Sequence, residues 1–333
     1  MKIKPMTKFA ILALSLVLVA CAGGGSEEAG CPAIDGREIN VVATTPMIGE
    51  FVSQVGGENI NLSVLMPPEA NPHTYEPAPQ DAGTIAEADL VFYTGLLYEP
   101  AALVKLLENS ACSTDILSEV GESVFPIEFK EGGHDDHDDH DDHDDEEGHD
   151  DHEGHNHGAY DPHFWFDPSR VAYAAEYIES RLIQFDPENE SSYISSADSF
   201  VSELNDLTKQ VSELISTVPS QNRKLITTHE SLGYLEAKFG LEVLSTIIPS
   251  LNSANEISPS DLAGVIDVIE DNNVKVIFIE SEAPSVYSET IVAETGIKPV
   301  TGLYVETLKP GQSYSEFLIS NVTLITENLQ DTD

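Results

Sequence analysis

The chain has 333 residues, with 59 Asp and Glu against 15 Lys and Arg and a net charge of −44. A surface this acidic repels nucleic-acid phosphates and draws cations, which excludes nucleic-acid binding; adaptation to high salt would leave the same charge. Eight of the eleven histidines (His134, His137, His140, His143, His149, His152, His155 and His157) fall in residues 131–157, a stretch with 14 acids and no Lys or Arg, and the rest of the chain still carries about −30.

In chain order, Lys2, Lys4 and Lys8 precede an apolar run at 9–19 that is too short to span a bilayer, the pattern of an export signal over residues 1–20. Leu18-Val19-Ala20-Cys21 resembles the bacterial lipobox, which implies cleavage before Cys21, a lipid on its thiol and attachment to the outer face of a bacterial membrane, in the periplasm or at the cell surface. Residues 21–30, with four glycines, read as a flexible tether. Two cysteines remain, Cys31 and Cys112. In an exported protein they are either a disulfide or two small buried hydrophobes.

Strand-like runs at 39–44, 60–66, 89–94 and 124–127 alternate with helical stretches at 47–55, 78–88 and 100–109, and a further helix starts near Pro168. In the second half, strands at 224–228, 241–247, 275–280 and 299–304 alternate with helices at 231–239, 259–272, 284–295 and 314–329. Alternation of this kind predicts parallel sheets covered by helices. The fold class is α/β, with two lobes, each built on a mainly parallel four-stranded sheet: an N-terminal lobe at 31–186, containing a His/Asp-rich loop at 131–158, and a C-terminal lobe at 218–333. Between them, 187–217 has no internal Gly or Pro and repeats apolar residues at helical spacing (Phe200, Leu204, Leu207, Val211, Ile215). A helix of that length measures about 45 Å, enough to link both lobes stiffly, although it could also pack within one.

His73, His163 and His229 stand outside the tract, each in its own motif. His73 lies beyond the strand at 60–66, and His229 directly follows the strand at 224–228. Ligands of parallel α/β sheets bind beyond the carboxyl ends of strands, so these two can face one crevice from opposite lobes. Prolines flank His73 and precede His163, restricting the backbone that carries them. The tract itself is too highly charged to form a packed helix. Its imidazoles would hold metal weakly, and they could gather ions, sense sufficiency or only solvate the loop.

Four segments together carry a resemblance. Asn71-Pro-His73-Thr-Tyr-Glu-Pro-Ala-Pro, Ala88-Asp-Leu-Val-Phe-Tyr-Thr-Gly-Leu-Leu-Tyr-Glu99-Pro, Asp161-Pro-His163-Phe-Trp-Phe-Asp167-Pro and Thr228-His229-Glu-Ser-Leu-Gly-Tyr-Leu-Glu-Ala-Lys-Phe-Gly240-Leu are similar to segments of the metal-binding solute-binding proteins of bacterial zinc and manganese ABC importers. The third has Phe166 where leucine is usual. The resemblance implies a metal site in the interlobe cleft with His73, His163 and His229 as ligands. It further implies a monomer that captures Zn2+, or alternatively Mn2+, and delivers it to an ABC permease and its ATPase. Manganese members place a glutamate where His229 stands, so histidine here favours zinc. For the fourth ligand the chain departs from the family's aspartate and offers Glu306, or else water completes the site. Glu280 is a second candidate, and Glu230 is placed to orient an imidazole. The implied protein is not an enzyme. The other readings of the same residues are a zinc hydrolase with an open fourth position and a metal-buffering surface adhesin that uses the tract.

Overall fold

The structure, a computed structural model, describes residues 31, 34, 36–129, 160–282 and 286–330. Cys21, the export signal and all eight tract histidines lie outside the described residues. The elements are β1 (Ile39–Ala43), α1 (Pro46–Gly56), β2 (Ile60–Val64), α2 (Pro79–Ala86), β3 (Leu90–Tyr93), α3 (Ala101–Ser110), β4 (Leu117–Glu119), α4 (Pro168–Phe185) and α5 (Glu190–Ser216), followed by β5 (Lys224–His229), α6 (Gly233–Phe239), β6 (Glu242–Ile248), α7 (Pro259–Asp271), β7 (Val276–Glu280), α8 (Val286–Thr295), β8 (Lys298–Leu303) and α9 (Tyr314–Gln330).

Three helices begin with the same local chemistry. In Thr45-Pro46, Asp167-Pro168 and Ser258-Pro259 a short polar side chain accepts a backbone N–H of the first turn, and a proline occupies the first helical position, where no N–H is needed. The apolar faces that follow are buried. On α5 these are Tyr193, Ala197, Phe200, Leu204, Leu207, Val211 and Ile215, which repeat every three to four residues along 27 residues, about 40 Å of helix.

The first sheet is parallel throughout, in the order β2-β1-β3-β4. The chain leaves β1 in one direction and β3 in the other, so the carboxyl ends of β1 and β3 form a switch point open to a ligand. The strand expected at 124–127 is replaced by β4, seven residues earlier. Gly121 is the reason: it packs so closely on the Thr94 carbonyl that a Cβ would lie 2.6 Å from that oxygen, and the chain turns there through residues 121–124. Phe125 then takes a left-handed φ of 52°. The segment does pair, but by one antiparallel bridge, Glu128 with Tyr160, across the two ends of the tract.

The second half has its four expected strands, all parallel, as two pairs rather than one continuous ladder: β5 with β6 and β7 with β8. β5 and β7 lie side by side. At their carboxyl ends side chains join them, with the Glu280 N–H donating to Thr228 Oγ1 (3.0 Å) and the His229 N–H donating to Glu280 Oε1 (3.1 Å).

One hydrophobic cluster runs through both halves, holding Phe51, Trp165, Leu232 and Phe317 together. Helix α5 packs on α1 and α4 from the first half and on α6 and α9 from the second. A shared core of this kind opposes wide opening of the cleft, because separation would expose apolar surface at about 25 cal/mol per Å². Cys31 and Cys112 are joined by a disulfide, with Cα atoms 5.1 Å apart.

Candidate metal centre

His73 sits in a short 3-10 turn, Pro72–Thr74, that follows β2. Asn71 starts this turn by accepting the His73 N–H on Oδ1 at 2.9 Å. The same geometry recurs ninety residues on, where Asp161 Oδ1 accepts the His163 N–H, also at 2.9 Å. Asx-Pro-His is therefore a local device: the short side chain closes a turn onto the backbone two residues later, and proline fixes the dihedral between them. Asp161 does one thing more, accepting the His163 ring Nδ1–H at 2.8 Å. Its carboxylate is in turn crowded by α6, since a Cβ on Gly233 would lie 2.8 Å from Asp161 Oδ2.

His229 is the last residue of β5, not the residue after it. Glu280, at the end of β7, accepts its ring Nδ1–H on Oε2. Glu280 is thus the orienting group for this imidazole. Glu230 is turned away and accepts from Thr246 Oγ1 at 3.0 Å, and burial pushes its carboxyl up. With Nδ1–H donated to a carboxylate, both His163 and His229 present an Nε2 lone pair inward.

Glu306 follows β8 and meets these rings. Its Oε1 is 3.0 Å from His73 Nε2 and 2.9 Å from His229 Nε2, and its Oε2 is 3.4 Å from His163 Nε2. Trp165, fully buried beside His163, donates its indole N–H to the Val305 carbonyl at 2.8 Å, which ties the His163 turn to the Glu306 loop. The Tyr98 hydroxyl lies 3.0 Å from both Glu306 Oε2 and the Glu306 carbonyl.

His73, His163, His229 and Glu306 each offer one donor atom, all within 4.8 Å of one another. A tetrahedral zinc with bonds near 2.0 Å needs donors about 3.3 Å apart, so small side-chain shifts would close the set around an ion. His163 Nε2 and His229 Nε2 are fully buried and have no partner in hydrogen-bond geometry. Buried ring nitrogens of this kind are costly unless a proton or a cation fills them, and a cation fits.

The charges agree. Burial opposes charge on His163, yet Glu306 and Asp161 outweigh it and carry its pKa to about 9. Burial likewise opposes charge on His229, but Glu280 and Glu306 raise it well above the ordinary value. Burial would raise Glu306, and the three imidazoles instead hold it well below the carboxylate range. Without an ion, protons do part of the ion's work, so binding must displace them. Burial, followed by Glu306, raises the Tyr98 phenol, which stays protonated and can donate. The Glu282 carboxyl is pushed up to about 8 by burial and by Glu306 and Glu280, which keeps a further negative charge away at neutral pH.

The structure thus brings together the three histidines and Glu306 and leaves Glu280 and Glu230 outside the donor set. The roles of Asp161 and Tyr98 were missed in the sequence. Asp161 carried a signal, its spacing two residues before His163, matched by Asn71 before His73. Tyr98 carried none, because its contact with Glu306 spans 208 residues.

The family described as zinc-uptake complex component A, periplasmic, matches residues 41–328. Among curated relatives, the high-affinity zinc uptake system protein ZnuA of Bacillus subtilis is 28% identical, with 96% of each chain covered. The manganese-binding lipoprotein MntA of Halalkalibacterium halodurans is 22% identical over 96% of this chain and 97% of its own. The manganese transporter substrate-binding lipoprotein PsaA of Streptococcus anginosus is 26% identical over 98% of this chain and 99% of its own. Among solved structures, the periplasmic zinc-binding protein TroA of Treponema pallidum superposes with a TM-score of 0.74 at 21% identity, covering 88% of this chain and 99% of TroA.

Proposed function

Because the chain belongs to the zinc-uptake complex component A family, whose members are solute-binding components of metal ABC importers and not enzymes, we propose that it captures zinc outside the cytoplasm through His73, His163, His229 and Glu306 and passes it to a cognate permease and ATPase. The observation that carries this reading is the convergence of three imidazoles and one carboxylate on a single buried point. Three nitrogens and one oxygen suit a four-coordinate zinc, whereas manganese favours a six-coordinate set richer in oxygen. Two imidazoles already have their ring N–H committed to Asp161 and Glu280, so the orientation a zinc site needs exists before the ion arrives. The ion is cargo, and the site needs only to bind and release it.

A manganese receptor is the second reading. It draws support from relatives named for manganese and from the two carboxylate oxygens that Glu306 could turn toward an ion. The lipobox-like Cys21 supports lipid anchoring to the outer face of a membrane, as the lipoprotein names of relatives do for those proteins. For the tract, gathering zinc near the cleft is the proposed role. Titration calorimetry of the full chain should resolve one tight zinc site and several weak ones, and replacing the eight tract histidines by serine should remove only the weak ones. Loss of the tight site in that variant, or tighter binding of manganese than of zinc in competition, would reject the reading as stated.

A further inference from the structure

The loop between β3 and α3 has an unusual backbone. Gly95, Leu96 and Leu97 take φ values of 78°, 53° and 62°, three successive residues in the left-handed region, two of which are leucine. That conformation is unfavourable for a side chain with a Cβ and persists only where surrounding contacts enforce it. Here they do. The buried Glu99 carboxylate accepts from the Thr94 N–H (2.7 Å), the Gly95 N–H (2.9 Å) and Thr44 Oγ1 (2.7 Å), bridging the carboxyl ends of β1 and β3. Glu119 accepts the Leu96 N–H at 2.9 Å.

The result inverts ordinary burial. Leu97 is 66% exposed, while the neighbouring Tyr98 is 1% exposed with its hydroxyl at Glu306. A polar group has been carried into the interior at the expense of an apolar one, and the hydroxyl is the part that needs an account. The Tyr98 ring packs edge-on against His73 and His163, with centroids 5.0 and 5.8 Å away, a contact that a phenylalanine would make equally well.

The two oxygens of Glu306 are not equivalent. Oε1 lies between His73 and His229, and Oε2 is the one beside the phenol. The hydroxyl has one hydrogen to share between Oε2 and the Glu306 carbonyl, and the charged acceptor takes the stronger bond. Oε2 also lies 3.4 Å from His163 Nε2, so an ion among the three Nε2 atoms would meet Oε1 first, with Oε2 held back by its bond to the phenol. If Oε2 were released, the carboxylate could chelate with both oxygens and raise the coordination number, which favours ions that accept larger oxygen-rich shells over zinc.

We propose that Tyr98 is a specificity-determining residue: its hydroxyl holds Glu306 to one donor oxygen and so biases the site toward four-coordinate ions. The proposal rests on the metal-capture reading above. It is tested with cobalt(II), zinc and manganese(II) on the full-length wild-type chain, Tyr98→Phe, Glu306→Gln and the double variant. The cobalt-loaded wild type should show the intense visible absorption of four-coordinate cobalt. In Tyr98→Phe that absorption should weaken and the zinc-to-manganese affinity ratio should narrow by roughly tenfold, the worth of a hydrogen bond to a charged group. In the Glu306→Gln background, Tyr98→Phe should change neither, because an amide offers one oxygen. On the wild type itself, X-ray absorption at one equivalent of zinc should count four light-atom neighbours. Five neighbours, an unchanged spectrum and ratio in Tyr98→Phe, or an equal change in the Glu306→Gln background would overturn the role of Tyr98 while leaving capture intact. A wild-type chain that binds none of these ions tightly would overturn the capture reading and this inference with it.

Discussion

His73 and His163 are delivered by one local device, Asx-Pro-His, whereas His229 ends a strand and is held by Glu280 from a second strand 51 residues away. The first arrangement needs only three consecutive residues to set the backbone. The second exists only after β5 and β7 have come together, so the completed site reports on packing of the whole C-terminal half. Two of the three imidazoles are therefore placed by turn chemistry and one by tertiary structure. The difference predicts where the site tolerates change.

The largest effect should follow removal of the donor that the fold places. Zinc held by ~10–16 kcal/mol over four donors loses roughly 3 kcal/mol per donor, so His229→Ala should weaken the tight site about 100-fold or more. A competition titration that finds wild-type zinc affinity in this variant would show that the cleft does not unite the two halves. Next come the supporting groups. Glu280→Gln removes the charge that orients His229 and also loosens the join between β5 and β7, and should cost about 10–100-fold in zinc affinity. Asn71→Ala removes the turn bond to the His73 N–H together with two bonds from the Asn71 amide to Ser253 Oγ and the Glu282 carbonyl, but Pro72 still constrains the turn, so about two- to tenfold is expected. Equal losses in these two variants would erase the distinction between local and long-range placement.

The smallest effect is in the metal-free protein. His163 and His229 have raised pKa values in the folded state, so their contribution to stability is fully present below the ordinary value of 6.5; the His163 part is lost as pH rises through about 9, and the His229 part, also raised, is lost in the same direction. The metal-free chain should melt a few degrees lower at pH 9 than at pH 6.5. Zinc must displace those protons, so the gain in melting temperature on adding zinc should grow over the same interval. An ordinary imidazole would place this change near 6.5, and the surrounding carboxylates move it upward. Melting curves in chelator and in zinc give both numbers, and a gain that shrinks with pH would contradict the sign.

What could be read from the sequence follows the same divide. The helix starts at Pro46, Pro168 and Pro259 and the Asx-Pro-His turns depend on neighbours one to three residues away; the helices were read to within a residue of those starts, while the turns, though equally local, were missed. His229 could be singled out because it stands at the end of a strand-like run, and Glu306 because the resemblance to the importer proteins implies a carboxylate near that place. β4 was misplaced because a close contact between Gly121 and the Thr94 carbonyl decides it, and no periodicity encodes that contact. Glu280 was visible as a strand-end carboxylate, but whether it would meet an ion or a ring nitrogen depended on how β5 and β7 lie together. The pairing of β5–β8 into two ladders had no local signature either.

The disulfide at Cys31 also fixes how far the folded body can travel. If the chain is held by a lipid on Cys21, ten residues separate the anchor from the first cross-linked position, and fully extended they reach no more than about 35 Å. That is shorter than α5, and the cross-link prevents the leash from lengthening by fraying into the fold. Under that anchoring the protein would meet a permease in the same membrane by diffusion in two dimensions.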